Sequence, residues 1–106
     1  MRLTNTDFIP GYEIKEALGL VLGSTVRARH LGRDIMAGLK NIVGGELQEY
    51  TDLLTDARKE ALNRMVKEAK KLGADAVINV RFMTTQTMGG AAELLAYGTA
   101  VKIAKK

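Results

Sequence analysis

The stretch Tyr50–Leu72, YTDLLTDARKEALNRMVKEAKKL, decides how the rest of the chain must fold. Its apolar residues, Tyr50, Leu53, Leu54, Ala57, Ala61, Leu62, Met65, Val66, Ala69 and Leu72, recur at intervals of three and four, which gathers them on one stripe of an α-helix. Asp52, Asp56, Lys59, Glu60, Arg64, Lys67 and Lys71 fall between them, so the opposite face is wet, and Glu60 and Arg64 stand one turn apart where they can pair. Lys70 and Lys71 suit the negative end of the helix dipole, and Gly73 supplies a residue that can turn left-handed and stop the helix. An apolar stripe this long needs a second layer to lie on.

The flanking sequence offers strands. Met1–Ile9 is polar and Thr-rich and reads as a short edge strand or an ordered arm; Pro10-Gly11 is a turn signal, so a strand begins at Tyr12. From there one parity runs Tyr12, Ile14, Glu16, Leu18, Leu20, Leu22, Ser24, Val26, Ala28 and His30, and its bulk marks it as the face that meets the helix. Gly19 and Gly23 lie on the other parity, where a missing side chain permits a bulge or close approach by another backbone. After Leu31-Gly32-Arg33 the period changes: Ile35, Met36, Leu39, Ile42 and Val43 follow helical spacing behind Asp34 as N-cap, and Gly44-Gly45 makes a corner into the long helix. Downstream, Ala74–Phe82 and Glu93–Ala104 alternate as strands, joined across a polar Thr84–Ala92 segment.

Strand, two helices and a strand hairpin make a two-layer α+β domain, with a mostly antiparallel sheet and one short and one long helix on one face. Val21, Val77, Met83, Leu94, Ala96 and Ala100 then fall on the face away from the helices, an apolar surface that a monomer would expose, so a symmetric homo-oligomer is expected. At 106 residues the chain is one domain, 1–106, and with 46 % apolar residues but five aromatics its core is aliphatic. No window of about 18 apolar residues suggests a membrane span, and the N-terminus lacks a signal-peptide pattern. The absence of Cys removes disulfides and thiolate metal sites and fits a reducing compartment; a cytoplasmic location is expected. The net charge of +4, without aromatics between Arg27, Arg29 and Arg33, argues against nucleic acid as a partner.

The segments Gly11-Tyr12-Glu13-Ile14, Gly23-Ser24-Thr25-Val26, Ile42-Val43-Gly44-Gly45, Leu72-Gly73-Ala74-Asp75-Ala76-Val77 and Gly98-Thr99-Ala100-Val101, in this order, resemble the YbjQ-like family over nearly the whole chain. The family carries a label of heavy-metal binding. The resemblance implies a dodecin-subunit-like fold and a ring-shaped homopentamer, without implying an established activity. The chain departs from the family's pattern at Gly44-Gly45-Glu46-Leu47-Gln48 and at Arg81 and Met83, which removes two potential carboxylate ligands.

His30 is the only histidine, and a transition metal wants three or four N, O or S ligands, so His30 becomes a metal ligand only if subunits bring several copies together around an axis. The plainer reading is a loop histidine beside a helix-capping Asp34. Gly44-Gly45 before a helix suggests an anion cradle, but no nucleotide-binding pattern surrounds it and Glu46 puts negative charge there. Ser24 has no His–Asp pattern near it, and no nucleophile with its base is found, so no catalytic residue is assigned and an enzyme is not expected. The functional expectation is a homo-oligomer, a pentamer by the resemblance, that takes a metal ion or small ligand between subunits near His30, Arg33, Asp34, Gly44 and Gly45, with the identity of any cofactor open. The alternative is a scaffold that binds protein partners and no small ligand.

Overall fold

A computed structural model describes residues 1–27, 47–86 and 92–106. Strands β1 (Arg2–Leu3), β2 (Tyr12–Arg27), β3 (Ala76–Gln86) and β4 (Ala92–Lys105) form one sheet in the order β1-β3-β4-β2, and helix α1 (Leu47–Lys71) lies across it. β4 pairs antiparallel with β2 and β3, and β1 pairs parallel with β3, so the sheet is mostly antiparallel and the domain α+β. The short helix expected over Ile35–Val43 lies outside the described residues.

The helix ends as its sequence demands. Gly73 adopts φ +79°, its N–H donates to Lys70 O at 3.0 Å, and Ala74 N–H reaches back to Ala69 O at 3.1 Å, the bond pair of a Schellman cap. The chain then enters β3 directly, with Asp75 N–H donating to Val101 O and Ile103 N–H donating to the Asp75 carboxylate at 3.0 Å. At the other end of the fold, Tyr12 N–H donates to Ile9 O at 3.1 Å, closing the Pro10-Gly11 turn. Residues 1–9 combine both expected forms: a two-residue strand, then an arm that follows β3 through Thr4 N–H to Val77 O, Val80 N–H to Thr4 O and Asn79 N–H to Thr6 O. Arg2 fastens this arm, its guanidinium 4.5 Å from the Tyr12 ring centroid and bonded to the Tyr12 hydroxyl.

The face that meets α1 is the reverse of the one expected. Ala61, Met65 and Ala69 are fully buried against Val21, Val77, Ala96 and Ala100, with Gly23 and Thr25 also buried on that side, whereas Leu20 and Leu22 point away from the helix and are exposed. The reason is distance. A Cβ added at Gly23 would lie 2.1 Å from Ala61 O and 2.3 Å from Met65 N, so helix and strand backbones touch there without a side chain between them. The helix presents alanines along this contact, and the dispersion gained by close approach of small residues outweighs the bulk of the other parity. Val21, Val77, Ala96 and Ala100 therefore do not form the open face; of the residues expected there, Met83 stays on it, while Leu94 pairs with buried Thr25 on the helix side.

Two bulges in β2 and one in β3 set these parities. Register shifts fall between Ile14 and Glu16, between Ala17 and Gly19, and between Ile78 and Arg81, where Asn79 takes φ +54°. The last shift breaks the uninterrupted alternation expected over Ala74–Phe82: Ala76 and Ile78 share a face with Arg81 and Met83, and Val80 joins the core under α1. A second cluster on the open face, Ile9, Ala76, Ile78 and Val101 with Tyr12 and Ile103 packed against it, is covered in part by the N-terminal arm. β3 runs on to Gln86 and β4 starts at Ala92, so the hairpin connection is shorter than the expected Thr84–Ala92.

Candidate functional site

A concave surface runs along the outer edge of β2 beneath α1. β2 is the last strand of the sheet, and its outer side is unpaired among the described residues. One cleft of about 570 Å³ lies between Leu20–Leu22 of the strand and Glu68 and Lys71 of the helix with Leu72 just beyond it. It continues into a second of about 370 Å³ between Leu22–Ser24 and Arg64, Lys67 and Lys71. Leu72, expected to close the helix's core stripe, instead stands half exposed at the rim.

The helix supplies the charge of this surface because residues 64, 67, 68 and 71 follow one another at helical spacing beside the buried Ala61–Met65–Ala69 line. Arg64 is committed: its Nε donates to Glu60 Oε1 at 3.0 Å, the pairing its spacing foretold, and its Nη1 donates to the Ser24 carbonyl across the cleft. That second bond ties the helix to the strand edge. Lys71 pairs with Glu68 at 3.1 Å, and Lys67 has no ion-pair partner among the described residues. These pairs are solvent-exposed, so each contributes a few tenths of a kcal/mol at most, about 0.3–0.5 for helical pairs. Ser24 Oγ lies 3.1 Å from Glu93 Oε2 on the far side of the sheet, and Thr25, fully enclosed, donates its hydroxyl to Leu94 O at 3.4 Å.

The second exposed surface is apolar. Leu20 is 65 % exposed, Leu22 48 %, Phe82 44 % and Met83 50 %, all on regular strands rather than loops. Isolated exposed leucines are ordinary, but here Leu20, Leu22 and Met83 all lie on the sheet face away from α1, while Phe82, opposite Ala96, stands on the helix-bearing side. The expected open apolar face thus exists with a different membership.

His30, Arg33, Asp34, Gly44 and Gly45, the residues expected to hold a ligand, lie outside the described residues. Among the described residues no group of three His, Cys, Asp or Glu side chains is gathered. The Glu13 carboxyl is displaced: the hydrogen bond from Lys15, and then the charge of the same ammonium, hold its pKa below the ordinary value. That pair is fully solvated on β2. No helix of the described residues is long and apolar enough to cross a membrane.

The edge cleft was not read from the sequence, because only the reversal of the β2 faces places Leu20 and Leu22 in the open. One signal for it was present: glycines on a single strand parity opposite alanines on a helix stripe mark the close-contact face.

The profile of the family YbjQ_1, described as "Putative heavy-metal-binding", matches residues 1–104. Curated relatives named UPF0145 protein include one from Archaeoglobus fulgidus, 70 % identical and matching 95 % of this chain and 94 % of the relative. Another, from Methanoculleus marisnigri, is 66 % identical over 97 % of this chain and 96 % of its own length. A third, from Thermotoga maritima, is 57 % identical over 99 % of both chains. Among solved structures, a protein of unknown function of the DUF74 family from Pediococcus pentosaceus superposes with a TM-score of 0.62 at 20 % identity, covering 98 % of each chain; at that identity the likeness concerns the fold.

Proposed function

The chain belongs to the YbjQ family, and from that membership and its open apolar strands we propose that it works as a non-enzymatic homo-oligomer, a pentameric ring, that takes a metal ion or small ligand between subunits. The observation that carries the assembly is the exposure of Leu20, Leu22, Phe82 and Met83 on stretches of β2 and β3 whose outer sides are unpaired among the described residues, a surface that a lone subunit leaves in water. A ring is the closed form open to a surface that differs on its two sides. The ligand part rests on the family description and on His30, Arg33, Asp34, Gly44 and Gly45 as a set that a ring would repeat around its axis. A single His per chain with no Cys needs that repetition to complete a transition-metal shell. A cytoplasmic setting agrees with the Cys-free sequence.

Native mass spectrometry of protein purified without chelator tests both parts. A five-subunit mass carrying a metal or small-molecule increment is the expected result, and a monomer overturns the proposal. His30→Ala is expected to remove a metal increment while leaving the five-subunit mass; an unchanged increment removes His30 from the site.

A second reading is a scaffold that binds protein partners without a small ligand. It is favoured by Arg81 and Met83 in β3, whose side chains stand where the resemblance leads one to expect acidic ligands, and by the engagement of Arg81 Nη1 with Asn5 O at 2.7 Å. A bare oligomer whose melting temperature responds to no metal or ligand panel supports this reading, because a ligand that binds only the folded state raises stability by mass action.

A further inference from the structure

Among the described residues the sheet has two outer sides, and both are blocked over one half and open over the other. On β2 the blocked half is Tyr12–Gly19, where two register shifts and the exposed charges of Glu13, Lys15 and Glu16 discourage strand addition. On β3 it is Ala76–Val80, covered by the N-terminal arm. The halves left unpaired among the described residues are Leu20–Thr25 of β2, which is regular and uncharged, and Arg81–Thr85 of β3.

These open halves stand at the same height. Across β4, Leu94 lies between Thr25 and Thr84, Ala96 between Gly23 and Phe82, and Tyr97 between Leu22 and Arg81. β2 and β3 are both antiparallel to β4 and so run in one direction. A second copy rotated about an axis along the strands therefore brings its β3 beside the first copy's β2, open half level with open half.

Side chains agree with that placement. Phe82 sits opposite Ala96, which is buried under α1, so its exposed ring projects on the helix-bearing face. At the matching height on β2 the residue is Gly23, and on that face the cleft of about 370 Å³ opens beside Lys67 and Lys71. We infer that Phe82 of one copy seats in the cleft over Gly23 of the next, as the open halves of β3 and β2 pair edge to edge into a continuous sheet. Lysine stems and ammonium groups suit an aromatic ring there. On the other face, Met83 of one copy stands level with Ser24 of the other, two residues along the edge from Leu22. Charge favours this head-to-tail arrangement over a two-fold pairing of β2 with β2, which would press two rows of Arg64, Lys67 and Lys71 together. Arg81, the one charge on the open half of β3, is held at Asn5 O and Val80 O. The inference rests on the homo-oligomeric reading and gives it an interface; the contact is heterologous and closes into a ring.

The test uses two variants of the full chain, each altered at residues exposed in the subunit: Phe82→Lys, which spoils the knob, and Leu20→Lys/Leu22→Lys, which puts charge on the receiving edge. Sedimentation velocity and native mass spectrometry are expected to find the wild type assembled, each variant alone monomeric, and an equimolar mixture forming a complex of one copy of each, because each variant keeps the side the other lost. A wild-type monomer overturns the assembly itself. A wild-type oligomer with Phe82→Lys equally assembled, or a variant that dimerises with itself, overturns this interface while leaving the assembly standing. So does a mixture that stays monomeric. Should far-UV circular dichroism show that Phe82→Lys does not fold, Phe82→Ala serves in its place, with subunit affinity expected to fall more than about tenfold and an unchanged affinity counting against the inference.

Discussion

Gly23→Ala is the sharpest probe of how helix and sheet meet. The added Cβ would lie 2.1 Å from Ala61 O, 2.3 Å from Met65 N and 2.9 Å from Met65 Cα, all backbone atoms that no rotamer change can move. Restoring ordinary contact at 3.4 Å requires α1 to lift by about 1.3 Å at this crossing. A radial gap of about 0.5–1 Å already forfeits roughly a quarter to a half of a dispersion contact, and here the loss extends along Ala61, Met65 and Ala69, the centre of the core. Overpacking ordinarily costs about 1–3 kcal/mol, and a clash with backbone on the helix side belongs at or above the top of that range. Against a total stability of about 5–15 kcal/mol, a loss of about 3 kcal/mol lowers the melting temperature by about 12–24 °C for a domain near this size. Urea unfolding followed by circular dichroism, with calorimetry alongside, measures it. Gly98→Ala is the internal comparison, since its nearest atom, Val77 Cγ1 at 2.7 Å, belongs to a side chain that can turn, although Ile78 O at 2.9 Å still resists. A Gly23→Ala protein that melts within about 4 °C of wild type, or one less affected than Gly98→Ala, would refute the close-contact face.

Three further substitutions probe other links. Met65→Ala removes the largest fully buried side chain among the described residues and is expected to cost about 2–5 kcal/mol in chemical denaturation, whereas a loss under about 1 kcal/mol would contradict its place at the core. Gly73→Ala forces a Cβ into a left-handed residue and is expected to cost about 1–2 kcal/mol, read as earlier fraying of the 65–72 amides in hydrogen exchange; unchanged protection would count against the Schellman cap. The Glu13 carboxyl is held below its ordinary pKa by Lys15, so the pair favours the fold at pH values above the ordinary carboxylate range and loses that effect as pH falls through the lowered pKa. Lys15→Met is therefore expected to raise the Glu13 midpoint in an NMR titration while hardly changing thermal stability, because the pair is fully solvated; an unmoved midpoint would remove Lys15 as the cause.

Local features of the chain were legible in its sequence for local reasons. The helix, its C-terminal stop at Gly73, the Glu60–Arg64 pair, the Pro10-Gly11 turn and the three long strands each follow from residues within a few positions of one another. The bulges were partly legible. Gly19 gave notice in β2, but Asn79 gave none, and one inserted residue there moves every later side chain of β3 to the other face. The expected ligand residues His30, Arg33, Asp34, Gly44 and Gly45 lie outside the described residues, and the candidate surface that the structure offers, the β2 edge cleft, depends on which strand is last in the sheet.

Periodicity alone thus determined that this chain is an amphipathic helix with strands to cover, and that apolar surface would be left exposed. Which strand face the helix takes was decided by tertiary structure. Hydrophobic bulk favours Leu20 and Leu22 as core, and the helix rejects them because Ala61, Met65 and Ala69 can come closest to the sheet over Val21, Gly23, Ala96 and Ala100. That preference belongs to neither segment by itself: it is a property of the distance between two backbones, and it sends the larger leucines to the open side, where another surface can use them.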